Sequence, residues 1–195
     1  MSPATHLLLV GLFLAGSCGK RDTPPPAAQP APQQQNQSPF PAPDHSAVQA
    51  ALIAEHTSIP PGGETRIGVR FTIEEGWHIY ANDPGDAGLP TKVNWSVPAW
   101  ASAGPLAWPP PERFIEAGRI HVFGYQRRVV LFSALSVTDQ AGGELPIRAA
   151  VEWLACKELC VPGSAELAMM LPVRAGPQPP SPEAPLFQPG TMHAS

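Results

Sequence analysis

The chain has 195 residues, a net charge of −4 and only 14% charged residues. Because no segment concentrates lysine and arginine, the sequence argues against a nucleic-acid partner. Proline is frequent, and 14 of the 27 prolines lie in two segments towards the ends of the chain. The stretch between them has about 130 residues, a length that suits one hydrophobic core. The composition therefore predicts a single folded domain at residues 46–174.

Residues 1–17 have the pattern of a lipoprotein-type signal peptide. The run LLLVGLFLAG (Leu7–Gly16) is apolar over ten residues, about half the length of a membrane-spanning helix. It leads into LAGSC, which resembles the bacterial lipobox, whose cysteine receives lipid and becomes the new N-terminus. We therefore expect a lipid on Cys18 that attaches the mature chain to a membrane. No Lys or Arg precedes the apolar run, so an ordinary signal peptide is the alternative.

The two proline-rich segments are expected to be disordered. Residues 18–45 are rich in Pro, Gln and Ala and resemble the tether of a lipoprotein. Residues 175–195 have a similar composition. Neither segment has enough apolar surface to form a core of its own.

The central region is predicted to be all-β. In ETRIGVRFTI (64–73), apolar residues alternate with polar ones, which is typical of a half-buried strand. Five further segments have a similar pattern: 47–56, 91–97, 128–137, 145–155 and 165–173. Gly and Pro separate them, and no long helical period is present. Short strands at this spacing favour an antiparallel β-sandwich, with a barrel as the competing architecture.

Two cysteines, Cys156 and Cys160, follow the apolar run VEWLA. If they form a disulfide, the three residues between them must turn, either as a hairpin loop or as one helical turn. As a structural staple so short a loop would contribute about 2 kcal/mol, and labile short-loop disulfides are more often redox-active. Metal handling is the third interpretation, but neither His78 nor His121 has ligand spacing to the cysteines. No metal ligand and no cofactor is therefore assigned.

Three blocks in order resemble the N-terminal periplasmic domain of the DsbD and ScsB thiol:disulfide reductases: EGWHIYANDPGDAGLPTKVNW, WPPPERFIEAGRIHVFGYQRRVVL and VEWLACKELCVPGSAEL. The resemblance implies an immunoglobulin-like fold in which Cys156 and Cys160 are the redox pair. The residues themselves do not decide which cysteine attacks, and the resemblance favours Cys160. It also implies an aromatic cap loop over the disulfide. The matching stretch PPPERFIEAG offers Phe114 and, more weakly, Glu112.

Two alternatives to this cap remain open at the sequence level. Phe114 is equally compatible with an ordinary position in the hydrophobic core. In that case the cap would be provided elsewhere, with Trp108 and Phe123 as the next candidates.

The resemblance implies a thiol:disulfide oxidoreductase of the protein-disulfide reductase type in the bacterial envelope, facing the periplasm and anchored by lipid. Its partners would be periplasmic thiol–disulfide proteins. No part of the sequence resembles the membrane electron-transfer or thioredoxin-like domains of the family, so we expect a DsbD-like or thioredoxin-like donor in trans. The alternative is a non-enzymatic lipoprotein that binds copper or docks a partner.

Overall fold

The computed structural model describes residues 47–116 and 118–188. The predicted signal peptide, the tether and the lipidation site Cys18 lie outside these ranges. None of the described residues belongs to a helix that is long and apolar enough to span a membrane.

The described residues form ten β-strands, which are in chain order β1 (Val48–Ala54), β2 (Glu64–Ile73), β3 (His78–Gly85), β4 (Lys92–Ser96), β5 (Ala101–Ala103), β6 (Glu112–Glu116), β7 (Ile120–Tyr125), β8 (Arg128–Val137), β9 (Gly143–Cys156) and β10 (Cys160–Val173). They make a four-stranded sheet in the order β1-β2-β8-β5 and a six-stranded sheet in which β10-β9-β3-β7-β6 are neighbours and β4 pairs with β9. All these pairings are antiparallel. The fold is an immunoglobulin-like antiparallel β-sandwich, as the sequence predicts.

The core lies between the two sheets and follows from strand periodicity. In β2, Ile67, Val69 and Phe71 are fully buried, whereas Arg66 and Arg70 on the other face are partly exposed. Successive side chains of a strand point to opposite faces, so one face of β2 meets the opposite sheet. The predicted bounds of β2 and β8 match the structure, but β3, β5, β6 and β7 were not predicted.

The C-terminal segment after β10 packs against the four-stranded sheet. A 3-10 helix (Ala184–Phe187) places Phe187 against Ile53 and Val130, and only 1% of Phe187 is exposed. The Arg66 guanidinium donates to the Phe187 carbonyl at 2.6 Å and to Glu55 Oε2 at 2.7 Å. The prediction of a disordered tail from residue 175 is therefore wrong for residues 175–188, because Phe187 supplies an apolar anchor that the proline-rich composition obscured.

Candidate functional site

The two predicted redox cysteines form a disulfide at the tip of the long β9–β10 hairpin. Cys156 ends β9, Cys160 begins β10, and the two are directly opposite each other in the strand register, with their Cα atoms 4.1 Å apart. Within the connecting loop the Lys157 amide donates to the Leu159 carbonyl at 3.2 Å. Of the two turn geometries compatible with the sequence, the protein has the hairpin.

The two sulfur-bearing residues differ in exposure. Cys156 is 2% exposed, because β9 is an interior strand and Cys156 packs with Tyr80 and Val122. Cys160 is exposed at the start of the edge strand β10. A molecule approaching from solvent therefore meets Cys160 first.

Strand β3 brings His78 and Tyr80 to the disulfide. His78 is the register partner of Cys156, and Ile79 is the partner of Ala155. Because side chains alternate, Ile79 points into the core between the sheets, while His78 and Tyr80 share the outer face of the six-stranded sheet with Cys156. The disulfide is thus built on the outer face of the sandwich.

The Tyr80 hydroxyl is the polar group that contacts the disulfide. It lies 3.0 Å from Cys156 Sγ, 3.9 Å from Cys160 Sγ and 2.9 Å from Glu116 Oε1. Burial, and then the hydrogen bond to Glu116, raise the pKa of Tyr80 far above its ordinary value. The hydroxyl therefore keeps its proton and acts as a donor at any physiological pH.

A glycine allows the Tyr80 ring to be covered. Gly88 has a φ of 98°, and a Cβ at this position would lie 2.3 Å from Cε1 of Tyr80. Only a residue without a side chain lets the backbone approach the ring so closely. The loop after β3 consequently buries Tyr80, which is 1% exposed.

The edge strand β6 contributes a carboxylate and an aromatic ring. Glu116 Oε1 lies 2.8 Å from His78 Nε2, so that it contacts both His78 and Tyr80. The Phe114 ring stacks on the His78 ring, with centroids 5.1 Å apart and planes inclined by 25°. Phe114 and Glu116 are two residues apart and therefore lie on the same face of β6.

These side chains surround an open cleft of about 630 Å³ beside the disulfide. Its walls come from β3, β6, Gln126 between β7 and β8, and the tip of the β9–β10 hairpin. The lining residues are His78, Arg113, Phe114, Ile115, Glu116, Gln126, Cys156, Lys157, Glu158 and Cys160. The cleft gives a reacting thiol access to the sulfurs while one side of the disulfide stays buried.

Phe114 lies in this cleft, half-buried, among the residues that pack around Tyr80 and Cys156. Glu112 is on the same face of β6, about 13 Å further along the strand from Glu116, and it does not line the cleft. Trp108 and Phe123 pack against the main core between the sheets. The carboxylate at the disulfide is that of Glu116.

Sequence reasoning set His78 aside as a ligand and did not single out Tyr80 or Glu116. Their side chains come together through pairings between strands that are far apart in the chain, and sequence spacing carries no signal for such pairings. One ligand atom each from His78, Glu116 and Cys156 lies within 4.8 Å of the other two. Their donors are of the kinds that bind metal ions, whereas spacing alone gave no reason to connect His78 with the cysteines.

Comparison with known proteins identifies the family. Residues 47–172 match the family described as thiol:disulfide interchange protein DsbD, N-terminal. The N-terminal periplasmic domain of ScsB from Proteus mirabilis is similar in structure, with a TM-score of 0.54 and 21% identity over 78% of this chain. The chain spans 56% of that structure.

A second structural relative is the DsbD N-terminal domain of Neisseria meningitidis in its reduced form, with a TM-score of 0.40 and 15% identity. The similarity covers 71% of this chain and 94% of that one. No match was found among curated proteins. The family match covers most of the chain and includes the disulfide hairpin, β3 and β6, so the chain belongs to the family of DsbD N-terminal domains and carries, in Cys156 and Cys160, a cysteine pair suited to thiol–disulfide exchange.

Proposed function

We propose that this domain is a protein-disulfide reductase module that passes reducing equivalents from a thiol donor to envelope proteins, with Cys160 as the sulfur that exchanges with partners. The observation that carries this proposal is the unequal exposure of the pair. Cys156 is buried beneath Tyr80 and Cys160 is open to the cleft. Exchange rates depend on which sulfur can be reached, as well as on the thiolate fraction.

In the forward direction the Cys160 thiolate attacks the disulfide of a partner. A bond forms between Cys160 and one partner sulfur, and the other partner sulfur leaves as a thiolate. Cys156 then loses its proton and attacks Cys160, which restores the Cys156–Cys160 disulfide and releases the second partner thiolate. Two electrons pass to the partner, whose two thiolates take protons from solvent.

Reduction of the domain runs through the same atoms in reverse. A donor thiolate attacks Cys160, and Cys156 leaves as a thiolate. The Tyr80 hydroxyl, 3.0 Å from Cys156 Sγ, is placed to donate a hydrogen bond to the charge that develops there. A better-stabilised leaving thiolate departs faster, so Tyr80 assists the step without exchanging a proton. The donor is proposed to be a separate DsbD-like or thioredoxin-like protein.

Phe114 is proposed to be a gate over the disulfide. Its ring lines the cleft and is held by stacking on His78. It stands on the edge strand β6, which has a pairing partner on one side only. An edge strand can shift with less disruption than an interior strand. Movement of Phe114 would therefore admit a partner while the rest of the sandwich stays in place.

The proposed location is the bacterial envelope, with the domain facing the periplasm. An oxidising compartment supports a persistent disulfide. The anchor is proposed to be a lipid on Cys18, which lies outside the described residues and rests on the LAGSC motif.

We expect Cys156→Ser to accumulate mixed disulfides and Cys160→Ser to form few. Cys156→Ser keeps the exposed sulfur and removes the one that resolves the intermediate. Non-reducing electrophoresis of acid-quenched envelope extracts, followed by mass spectrometry of the linked cysteine, measures both variants. If Cys160→Ser, which keeps only Cys156, accumulated more mixed disulfide than Cys156→Ser, then Cys156 would be the sulfur that exchanges with partners.

We expect Tyr80→Phe to slow reduction of the disulfide several-fold, because a hydrogen bond to a charged group contributes about 1.5–3 kcal/mol and part of this is present in the transition state. Tyr125→Phe is the matched control, since Tyr125 is also buried but donates to the Pro109 carbonyl, away from the disulfide. Stopped-flow reduction by a small dithiol compares the two. Equal rates in the two variants would remove Tyr80 from the mechanism.

We expect Phe114→Ala to speed the reaction of the disulfide with a small thiol. Its effect on stability should stay below the roughly 3–5 kcal/mol of a buried Phe→Ala change, because Phe114 is half-buried. Phe123→Ala is the control: Phe123 is similarly half-buried but packs against the main core, so it should lose stability without a gain in rate. Unchanged kinetics with a large stability loss in Phe114→Ala would make Phe114 a core residue.

We expect the mature chain to begin at Cys18 and to carry lipid there. Intact-mass and peptide mass spectrometry of the membrane fraction tests this. Cys18→Ala should move the protein out of that fraction. An unmodified Cys18 in a mature soluble protein would contradict the lipoprotein assignment.

A further inference from the structure

We propose that the cleft of the reduced protein is a redox-gated zinc site formed by the thiolates of Cys156 and Cys160, the imidazole of His78 and the carboxylate of Glu116. The site uses the same cysteine pair as the proposed exchange reaction, but it does not depend on any protein partner. It requires only that the disulfide be reduced.

The first argument is geometric. A tetrahedral zinc ion separates a nitrogen from an oxygen ligand by about 3.3 Å and a sulfur from a nitrogen ligand by about 3.5 Å. His78 Nε2 and Glu116 Oε1 are 2.8 Å apart, and each of these two residues has a ligand atom within 4.8 Å of Cys156 Sγ. The imidazole and the carboxylate need to separate by only about half an ångström to admit the ion. In that arrangement the cation takes the place of the hydrogen in the hydrogen bond between His78 Nε2 and Glu116 Oε1.

The fourth ligand follows from the hairpin. Cys160 is the register partner of Cys156 across the three-residue loop, so both thiolates remain at the same cleft after reduction. Two sulfurs, one imidazole nitrogen and one carboxylate oxygen complete a tetrahedral set of a kind that zinc accepts. Cu⁺ prefers soft thiolate and thioether ligands, and the hard carboxylate of Glu116 therefore favours zinc.

The second argument concerns charge. With the cysteines reduced and ionised, Cys156, Cys160 and Glu116 would bring three negative charges into a partly enclosed cleft. Like charges this close disfavour one another's ionised forms. Arg113 and Lys157 also line the cleft, but among the described residues neither forms an ion pair with Glu116. Thiol–disulfide exchange does not require an anion beside the thiolates. A bound cation would explain why the Glu116 carboxylate lies there.

The third argument is that the ligands are oriented by their neighbours. The Phe114 ring stacks on the His78 imidazole and limits its rotation. The Tyr80 hydroxyl contacts both Glu116 Oε1 and Cys156 Sγ without being a ligand itself. Such supporting contacts fix ligand geometry and are worth about tenfold to a hundredfold in metal affinity.

The disulfide acts as the gate. Sulfurs bonded to each other are not thiolates, so in the oxidised protein only His78 and Glu116 of the four proposed ligands can bind the ion. Oxidation of the loaded site by a disulfide compound RSSR is balanced: the two protein thiolates give two electrons to RSSR, the Cys156–Cys160 bond forms, two RS⁻ are produced and Zn²⁺ is released. Zinc therefore protects the dithiol, and an oxidant strong enough to act on it frees the metal.

The test uses the full chain with Cys18→Ser in every variant, so that no third thiol takes part. Zn²⁺ is titrated against a competing chelator, with the protein either reduced by a phosphine or oxidised. We expect one Zn²⁺ per reduced chain and at least about tenfold weaker binding by the oxidised chain. His78→Gln and Glu116→Gln should each weaken binding to the reduced chain by at least about tenfold.

Glu112→Gln is the matched control, because Glu112 lies on the same face of the same strand but away from the cleft. It should bind Zn²⁺ like the parent. Co²⁺ substitution gives a second readout, since its visible spectrum distinguishes tetrahedral coordination with two thiolates from other geometries. Circular dichroism of each variant establishes that it is folded before its affinity is compared.

The proposal would be overturned by unchanged Zn²⁺ affinity in both His78→Gln and Glu116→Gln, or by equal binding to the oxidised and reduced chains. Cu⁺ binding that needs only the cysteines, without four-ligand Zn²⁺ binding, would also overturn it. These readouts involve no partner protein. Failure of the trapping experiment with intact zinc binding would therefore count against exchange alone, and successful trapping without the four-ligand site would count against the zinc proposal alone.

Discussion

The site depends on the register between β3 and β9. Pairing of His78 with Cys156 and of Ile79 with Ala155 decides which side chains reach the disulfide. A slip of one residue would turn Ile79 outwards and drive His78 and Tyr80 into the core between the sheets. Ile79 is fully buried in that core. The hydrophobic requirement of one face therefore fixes the chemistry of the other.

A single carboxylate oxygen connects the parts of the site. Glu116 Oε1 accepts contacts from His78 and from Tyr80, and the Tyr80 hydroxyl also reaches Cys156. These residues come from the interior strands β3 and β9 and from the edge strand β6. Displacement of β6 removes Glu116 and Phe114 together, so access to the cleft and the polarity around Cys156 change in one movement. That coupling requires no second conformation of the sandwich core.

The sequence predicted the parts of the fold that have one buried face. In β2 and β8 apolar and polar residues alternate clearly, and the predicted bounds agree with the structure.

β3 and β6 could not be predicted from the sequence, for a physical reason. In β3 the first four residues are buried, so polar and apolar side chains do not mark opposite faces. In β6 the adjacent Phe114 and Ile115 are both apolar, although Phe114 stacks on His78 and Ile115, on the other face of the strand, is 58% exposed. The resemblance to the family was enough to identify the cysteine pair and Phe114 as site residues. His78, Tyr80 and Glu116 could be identified only from the pairing of strands that are distant in the sequence.

Reduction of the disulfide adds negative charge to the cleft. The disulfide is neutral, and in that state the Glu116 carboxylate is satisfied by its contacts with His78 and Tyr80. Once the cysteines are reduced, each ionised thiolate adds a negative charge beside the same carboxylate. The one Tyr80 proton cannot serve Glu116 and Cys156 fully at the same time, because a hydroxyl has a single donor. A cation that binds only the dithiol would stabilise the reduced state by mass action, and to that extent it would lower the tendency of the pair to give up its electrons.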